Sequence, residues 1–318
     1  MAYYPSLYTL EDIRERAYRK ETVNGKTVVR MDIGPDCDSV ETFANVKNPD
    51  WDHERSSVKK NNANWSGSNS YEQAAEWMRK GWPEGTERMK ALSLRLQASL
   101  PLSEKVRMRY SPTVAPVGGM LIDLPGVISG SPTPYIGRFK TQTRKAGQKI
   151  IRLGINCTMS AGVSRRTIEA RGAAILALVD QLQLLKYEVD LTVYTAVLYA
   201  GGRGLTVMWH VKPAGRRANL DQIAFAVANA GTLRRVMFGA IEHVKGEDGC
   251  GSLYGNYGMP AELDKVVSKE ELKKYQIIVD SECYVDENGN KRGGYWDNPE
   301  DQKAWVLSQL RKQGVRIE

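Results

Sequence analysis

The chain has 318 residues, 42% of them hydrophobic and 26% charged, with a formal net charge of +8. That length predicts about two domains, each able to bury a core, and no apolar run approaches the roughly 20 residues that span a bilayer, so no membrane partner is expected. The basic excess is compatible with an anionic partner, nucleic acid included.

The opening MAYYPSLYTLEDIRERAYRK turns charged at once and lacks the apolar stretch of a signal peptide. Residues 1–100 read as a mixed or helical region. Asn48–Ser70 is rich in Asn, Ser, Lys and Asp and reads as loop, with Trp51 and Trp65 as anchors. Ser70 is placed to cap a helix over Tyr71–Lys80, with Gln73 completing a capping box. A second helix is expected over Thr86–Ser99. Residues 101–147 form a Pro- and Gly-rich connecting segment with short strand candidates at Lys105–Tyr110 and Met120–Leu124. It ends in a basic strip, Arg138, Lys140, Arg144, Lys145 and Lys149, which is a candidate phosphate-contacting surface.

Residues 148–318 carry the clearest periodicity. Ile150–Asn156 reads as a short apolar strand. Ser164 caps a helix over Arg165–Leu185, with Ile168, Ile175, Leu176, Val179 and Leu182 at helical spacing. Gly172 falls on that apolar face and is expected to allow close packing on the sheet. Tyr187–Leu198 reads as one strand, which completes a parallel βαβ unit. Leu205–Val211 follows after a short Gly-rich turn, so it is expected antiparallel. Helices are expected at Leu220–Asn229, Leu233–Val244 and Pro299–Gln313, and strands at Gln276–Asp280 and Val315–Ile317. The fold class is α/β, doubly wound and mostly parallel, preceded by a smaller α+β or irregular region.

The four cysteines (Cys37, Cys157, Cys250, Cys283) form no CxxC pair, and no two of the three histidines are helix neighbours. A zinc ribbon and a His-rich metal site are therefore not expected, and a reducing compartment is. His210 and His243 read as structural. GxSxG, GxxxxGK[ST], HExxH and HxE…CxxC are all missing, so no reaction class is selected and no catalytic residue is assigned.

Ligands of open α/β sheets bind beyond the carboxyl ends of parallel strands. Those ends here are Asn156-Cys157-Thr158-Met159-Ser160 and Asp280-Ser281-Glu282, with Ala230-Gly231-Thr232 opening a later helix. This set resembles the metal-ion-dependent adhesion site of von Willebrand factor A domains: an Asp-x-Ser-x-Ser loop, a distal Thr and a distal Asp. Asn156 stands at the position of the Asp, Thr158 at that of the first Ser, and Ser160 at that of the second. Thr232 and Asp280 are similar to the distal pair. The resemblance implies either Mg²⁺ held by Asn156, Thr158, Ser160, Thr232 and Asp280 or, because Asn156 removes one negative charge from the shell, a degenerate loop whose polar groups cap the first helix or bind a partner directly. It also implies a non-enzymatic binding or assembly protein with a protein partner, such as an AAA+ ATPase.

The segments Trp65-Ser66-Gly67-Ser68, Gly81-Trp82-Pro83-Glu84-Gly85, Ser129-Gly130-Ser131-Pro132 and Glu169-Ala170-Arg171-Gly172-Ala173-Ala174 resemble proteins encoded by bacteriophages. That implies a phage protein partner and a place in the host cytoplasm or virion. The competing expectation is a nucleic-acid-binding protein of phage replication or packaging. It rests on the basic strip and on the pairs Arg216-Arg217 and Arg234-Arg235.

Overall fold

The structure is a computed structural model, and it describes residues 18–34, 37, 40, 57, 62–98, 121–122, 135–136, 149–199, 202–244, 257–281 and 295–315. The described strands are β1 (Tyr18–Val23), β2 (Lys26–Ile33), β3 (Leu121–Ile122), β4 (Tyr135–Ile136), β5 (Ile150–Asn156), β6 (Glu188–Tyr194), β7 (Val197–Leu198), β8 (Gly204–Lys212), β9 (Met259–Pro260) and β10 (Ile277–Val279). The α-helices are α1 (Ala63–Ser66), α2 (Tyr71–Lys80), α3 (Pro83–Ala98), α4 (Arg165–Leu184), α5 (Leu220–Ala228), α6 (Phe238–Glu242), α7 (Lys269–Leu272) and α8 (Pro299–Lys312). A π-helix, Thr232–Met237, runs directly into α6.

The chain divides into two units, one from 1–100 with 150–317 and one from 101–149. The smaller unit's described pairing is the antiparallel couple β3–β4. The larger unit is built on an open sheet of eight strands with the main order β1-β2-β8-β6-β5-β10, and β7 and β9 off that path. Strands β5–β6, β5–β10 and β2–β8 pair parallel, whereas β6–β8 and β1–β2 pair antiparallel.

Residues 18–33 are thus built into the same sheet as the strands of the C-terminal half. The cause is a hairpin that the hydrophobic pattern understates. Val23 pairs with Lys26 across Asn24-Gly25, and both turn residues take positive φ (50° and 75°). This is the backbone that a two-residue type I′ turn demands, and Asn-Gly supplies it at least cost. Strand β2 then buries Val28, Val29, Met31 and Ile33 and joins β8.

The central elements form where the periodicity places them. Helix α4 is capped by the Ser164 side chain, which accepts from Thr167 N, and α2 by Ser70, which accepts from Gln73 N. The Gln73 side chain reaches back to Asn69 N, one residue before the cap. Asn298 caps α8 ahead of Pro299. At the other end of α8, Gly314 takes φ +83° and Val315 N donates to Leu310 O, so Val315 terminates a helix and is not a strand residue. Arg316 and Ile317 lie outside the described residues, as do Trp51, His53 and the Lys105–Tyr110 candidate.

The expected single strand Tyr187–Leu198 is divided at Thr195-Ala196. Thr195 Oγ1 accepts from Val207 N, and Ala196 N donates to the Thr158 hydroxyl. These side chains take over the ladder bonds, and β7 turns away to pair with β8 and β9.

Strand β6 is buried on both faces over Leu191–Tyr194. Val193 and Tyr194 point to opposite faces, as neighbours on a strand must. Tyr194 enters a smaller core with Val23, Val28, Leu263, Val266 and Val267. Its hydroxyl meets Tyr275 at 2.5 Å and donates to Glu271 at 2.8 Å, and Glu271 pairs with the buried Arg30. This network ties the N-terminal hairpin to α7.

Gly172 does permit close packing, but against α5 rather than the sheet: a Cβ there would lie 2.2 Å from Ala228 Cβ and 2.5 Å from its Cα. Gly172→Ala should therefore lose about 1–3 kcal/mol through overpacking, despite a helix-propensity gain of about 1 kcal/mol. Gly162→Ala, with no neighbour nearer than 3.9 Å, should be close to neutral in the same urea titration.

Burial opposes charge on Glu271, but the hydrogen bond and charge of Arg30 outweigh it and hold the carboxyl below its ordinary range. A depressed carboxyl stabilises the fold above the unfolded-state pKa, and that stabilisation is lost as pH falls through the folded one. Urea unfolding below about pH 4.3 should show this loss in the native chain, and Glu271→Gln should flatten that part of the acid limb.

Candidate functional site: the strand-end edge

Parallel pairing of β5 with β10 sets Ile155 beside Val279, so the next residues, Asn156 and Asp280, emerge together at the carboxyl edge. Asn156 Nδ2 donates to Asp280 Oδ1 at 2.7 Å and to Ala261 O at 2.8 Å, while its Oδ1 accepts from Thr158 N at 3.0 Å. The Asp280 carboxylate also accepts from Ser281 N at 2.8 Å and, through both oxygens, from Leu263 N at 3.1 Å. It thereby caps the 3₁₀ turn Leu263–Lys265. The Thr158 hydroxyl accepts from Ala196 N at 2.6 Å.

Beneath this cluster lies Arg171, on the second turn of α4 and 1% exposed. One terminal nitrogen donates to Asn156 O at 2.7 Å, Asp280 O at 2.9 Å and Val279 O at 3.3 Å. Beside it, Cys157 is a buried thiol whose pKa burial pushes up to about 12, so it acts as a small hydrophobe and not as a nucleophile.

Of the five residues expected to share a metal, Asn156, Thr158 and Asp280 are joined by hydrogen bonds or adjacent loop contacts. Ser160 is exposed one step outward, where its hydroxyl accepts from Gly162 N at 3.3 Å. The Thr232 hydroxyl turns to Phe225 O at 2.6 Å. Mg²⁺ requires oxygen ligands in near-octahedral order. Here the oxygens of Asn156, Thr158 and Asp280 already receive protein N–H donors, Asn156 presents a donor to Asp280, and a guanidinium lies beneath. This arrangement fits a hydrogen-bonded latch better than a cation shell. No group of three His, Cys, Asp or Glu residues suited to a metal occurs among the described residues.

A second layer closes on the edge from the N-terminal side. Trp65 Nε1 donates to Ala161 O at 3.2 Å, and the Arg234 guanidinium lies 4.7 Å from the Trp65 ring centre. Arg234 also donates to Trp65 O at 2.6 Å and Val163 O at 2.8 Å. Arg235 donates to the carbonyls of Ser57 and Ser68. Gly67, at φ +79°, sits where a Cβ would be 2.6 Å from Asn229 Oδ1 and 2.8 Å from Gly231 N.

Arg234 and Arg235, expected on a solvated face or against phosphate, are both buried. All six residues of the π-helix are buried, so no face of it is left for solvent, and the guanidiniums reach loop carbonyls instead. Arg216 and Arg217 are exposed, as is Lys149. Arg138, Lys140, Arg144 and Lys145 lie outside the described residues. Tyr257 stacks on Phe238 at 3.8 Å with an interplanar angle of 6° and donates to Glu242, so its ring is committed within the fold.

Residues 20–317 match the family model described as Domain of unknown function (DUF7192). No curated protein and no solved structure matches the chain.

Asp280→Ala strands three N–H donors at the edge. It should cost about 2–4 kcal/mol in urea unfolding, since each buried unsatisfied group costs about 1–3 kcal/mol. Ser160→Ala should change stability by less than about 0.5 kcal/mol.

Proposed function

We propose that this chain, which belongs to the DUF7192 family, is a non-enzymatic binding or assembly protein that holds a protein partner at the strand-end edge. The observation that carries the reading is the convergence of Asn156, Thr158 and Asp280 at the carboxyl ends of β5 and β10, with the exposed loop Ser160–Gly162 beside them. The parallel β5–β6 unit, the antiparallel β8 and the Asp after β10 support a von Willebrand factor A-like reading of this half of the unit. The edge's polar groups are spent on one another, which supports a rigid docking platform over a reaction centre. In this reading the platform works without Mg²⁺, because the Asn156–Asp280 bond does locally what a bridging cation would do. A phage or host protein, an AAA+ ATPase among them, is the class of partner proposed.

Replacing Ser160 in the full chain with a photo-crosslinking benzoylphenylalanine tests this in extracts of phage-infected bacteria. The expected result is a light-dependent protein adduct that survives both nuclease and EDTA and does not form from the same probe at exposed Lys273. Loss with nuclease would transfer the function to nucleic-acid binding, and loss with EDTA would restore the metal. Equal adducts from both positions would sink the proposal.

A further inference from the structure

Next to the strand-end edge, an open groove of about 240 Å³ runs between the Gly67–Asn69 loop, α2, α3 and the start of α4. Its walls include Gln73, Trp77, Trp82, Arg88 and Arg165. Trp77 and Trp82 pack at 5.8 Å between ring centres, and the Arg88 guanidinium lies 5.2 Å from the Trp82 ring. Trp82 is buried, whereas Trp77 keeps part of its ring accessible.

Among the described residues the two arginines have few partners. Arg165 Nε donates to Glu169 Oε1 at 2.8 Å, and Arg88 approaches the same oxygen at 3.8 Å. Two guanidiniums carry about ten N–H donors between them, and one hydrogen bond from Arg165 to Glu169 is what the described residues take. Among the described residues Glu84 is the carboxylate that lines the groove, and it is exposed. With Glu169 behind them and Glu84 beside them, the two arginines are balanced in charge, and what they offer the groove is unfilled N–H donors.

We propose that this groove receives an acidic residue of a protein partner, its carboxylate on Arg88 and Arg165 and a neighbouring flat apolar side chain on Trp77. The inference rests on the proposed role of the edge as a protein-binding surface and names the chemistry of what binds. Guanidinium forks match carboxylates in a bidentate manner, and the indole beneath Arg88 holds one fork in place. The volume sets the scale of the occupant. Pockets that enclose a drug-sized ligand run to about 300–1,000 Å³, so this one suits an anchor side chain of a longer segment.

The test uses the full chain with ¹⁵N-labelled tryptophan, the Trp77 indole signal being assigned through Trp77→Phe. The probe is N-acetyl-aspartyl-phenylalanine amide, compared with its asparaginyl counterpart and with inorganic phosphate. A saturable shift of the Trp77 signal is expected with the aspartyl peptide, weakened about tenfold or more in the asparaginyl peptide and in Arg165→Gln or Arg88→Gln. Both arginines are on the surface, so the variants should keep the native tryptophan spectrum elsewhere. A shift of equal affinity with the asparaginyl peptide, or no saturable shift, overturns the proposal. Equal binding of phosphate replaces the peptide carboxylate with a general anion and overturns it too. A failed titration alongside an intact Ser160 adduct would remove this site while leaving the edge as a binding surface, whereas loss of the adduct alone would remove the edge.

Discussion

The sheet's carboxyl edge depends on how one buried cation is satisfied. The Arg171 guanidinium is taken out of water and is offered backbone carbonyls from the ends of two different strands. Removing a charge from solvent costs several kcal/mol unless hydrogen bonds replace its hydration. Those carbonyls converge only when β5 and β10 lie side by side in their observed register. The cation therefore rewards one arrangement of the strand ends, and the Asn156–Asp280 latch above it follows from that arrangement.

The same device recurs at Arg234 and Arg235, which donate to loop carbonyls of the N-terminal segment and of the Ser160–Val163 loop. Long donor-rich side chains here act as internal ties for irregular backbone, whose carbonyls would otherwise be buried without donors. This alters the meaning of the net charge. Arg30, Arg171, Lys212, Arg234 and Arg235 are buried, so part of the +8 is architectural and cannot contact the phosphates of a polyanion directly.

Local signals carried much of the fold in the sequence. The period of Ile168–Leu182, the caps at Ser70, Ser164 and Asn298, and the spacing of β5, α4 and β6 are short-range properties, and they are legible. What escaped depends on distant partners or on departures from a regular period. Asn24-Gly25 was a readable turn, yet the parallel seat of β2 beside β8 has no local marker. Thr158 and Thr195 divide a strand by substituting hydroxyls for ladder partners. The π-helix is buried on every side, so Arg234 and Arg235 lie inside although two adjacent arginines ordinarily read as solvent-facing. In the candidate site, Asn156 and Asp280 were visible as strand ends, but Arg171 was not, because an arginine on a helix ordinarily reads as solvent-exposed.

The seat of β2 also bears on the order of assembly. Val28 pairs with Gly204, so β2 finds its neighbour only after the whole β5–α4–β6 unit has been made. Closing so long a loop is entropically costly and slow compared with the local β5–α4–β6 unit. Until it happens, β8 presents a bare parallel-pairing edge next to β6, which invites association with other chains. The N-terminal hairpin therefore makes the longest-range strand pairing among the described residues and covers the edge of β8.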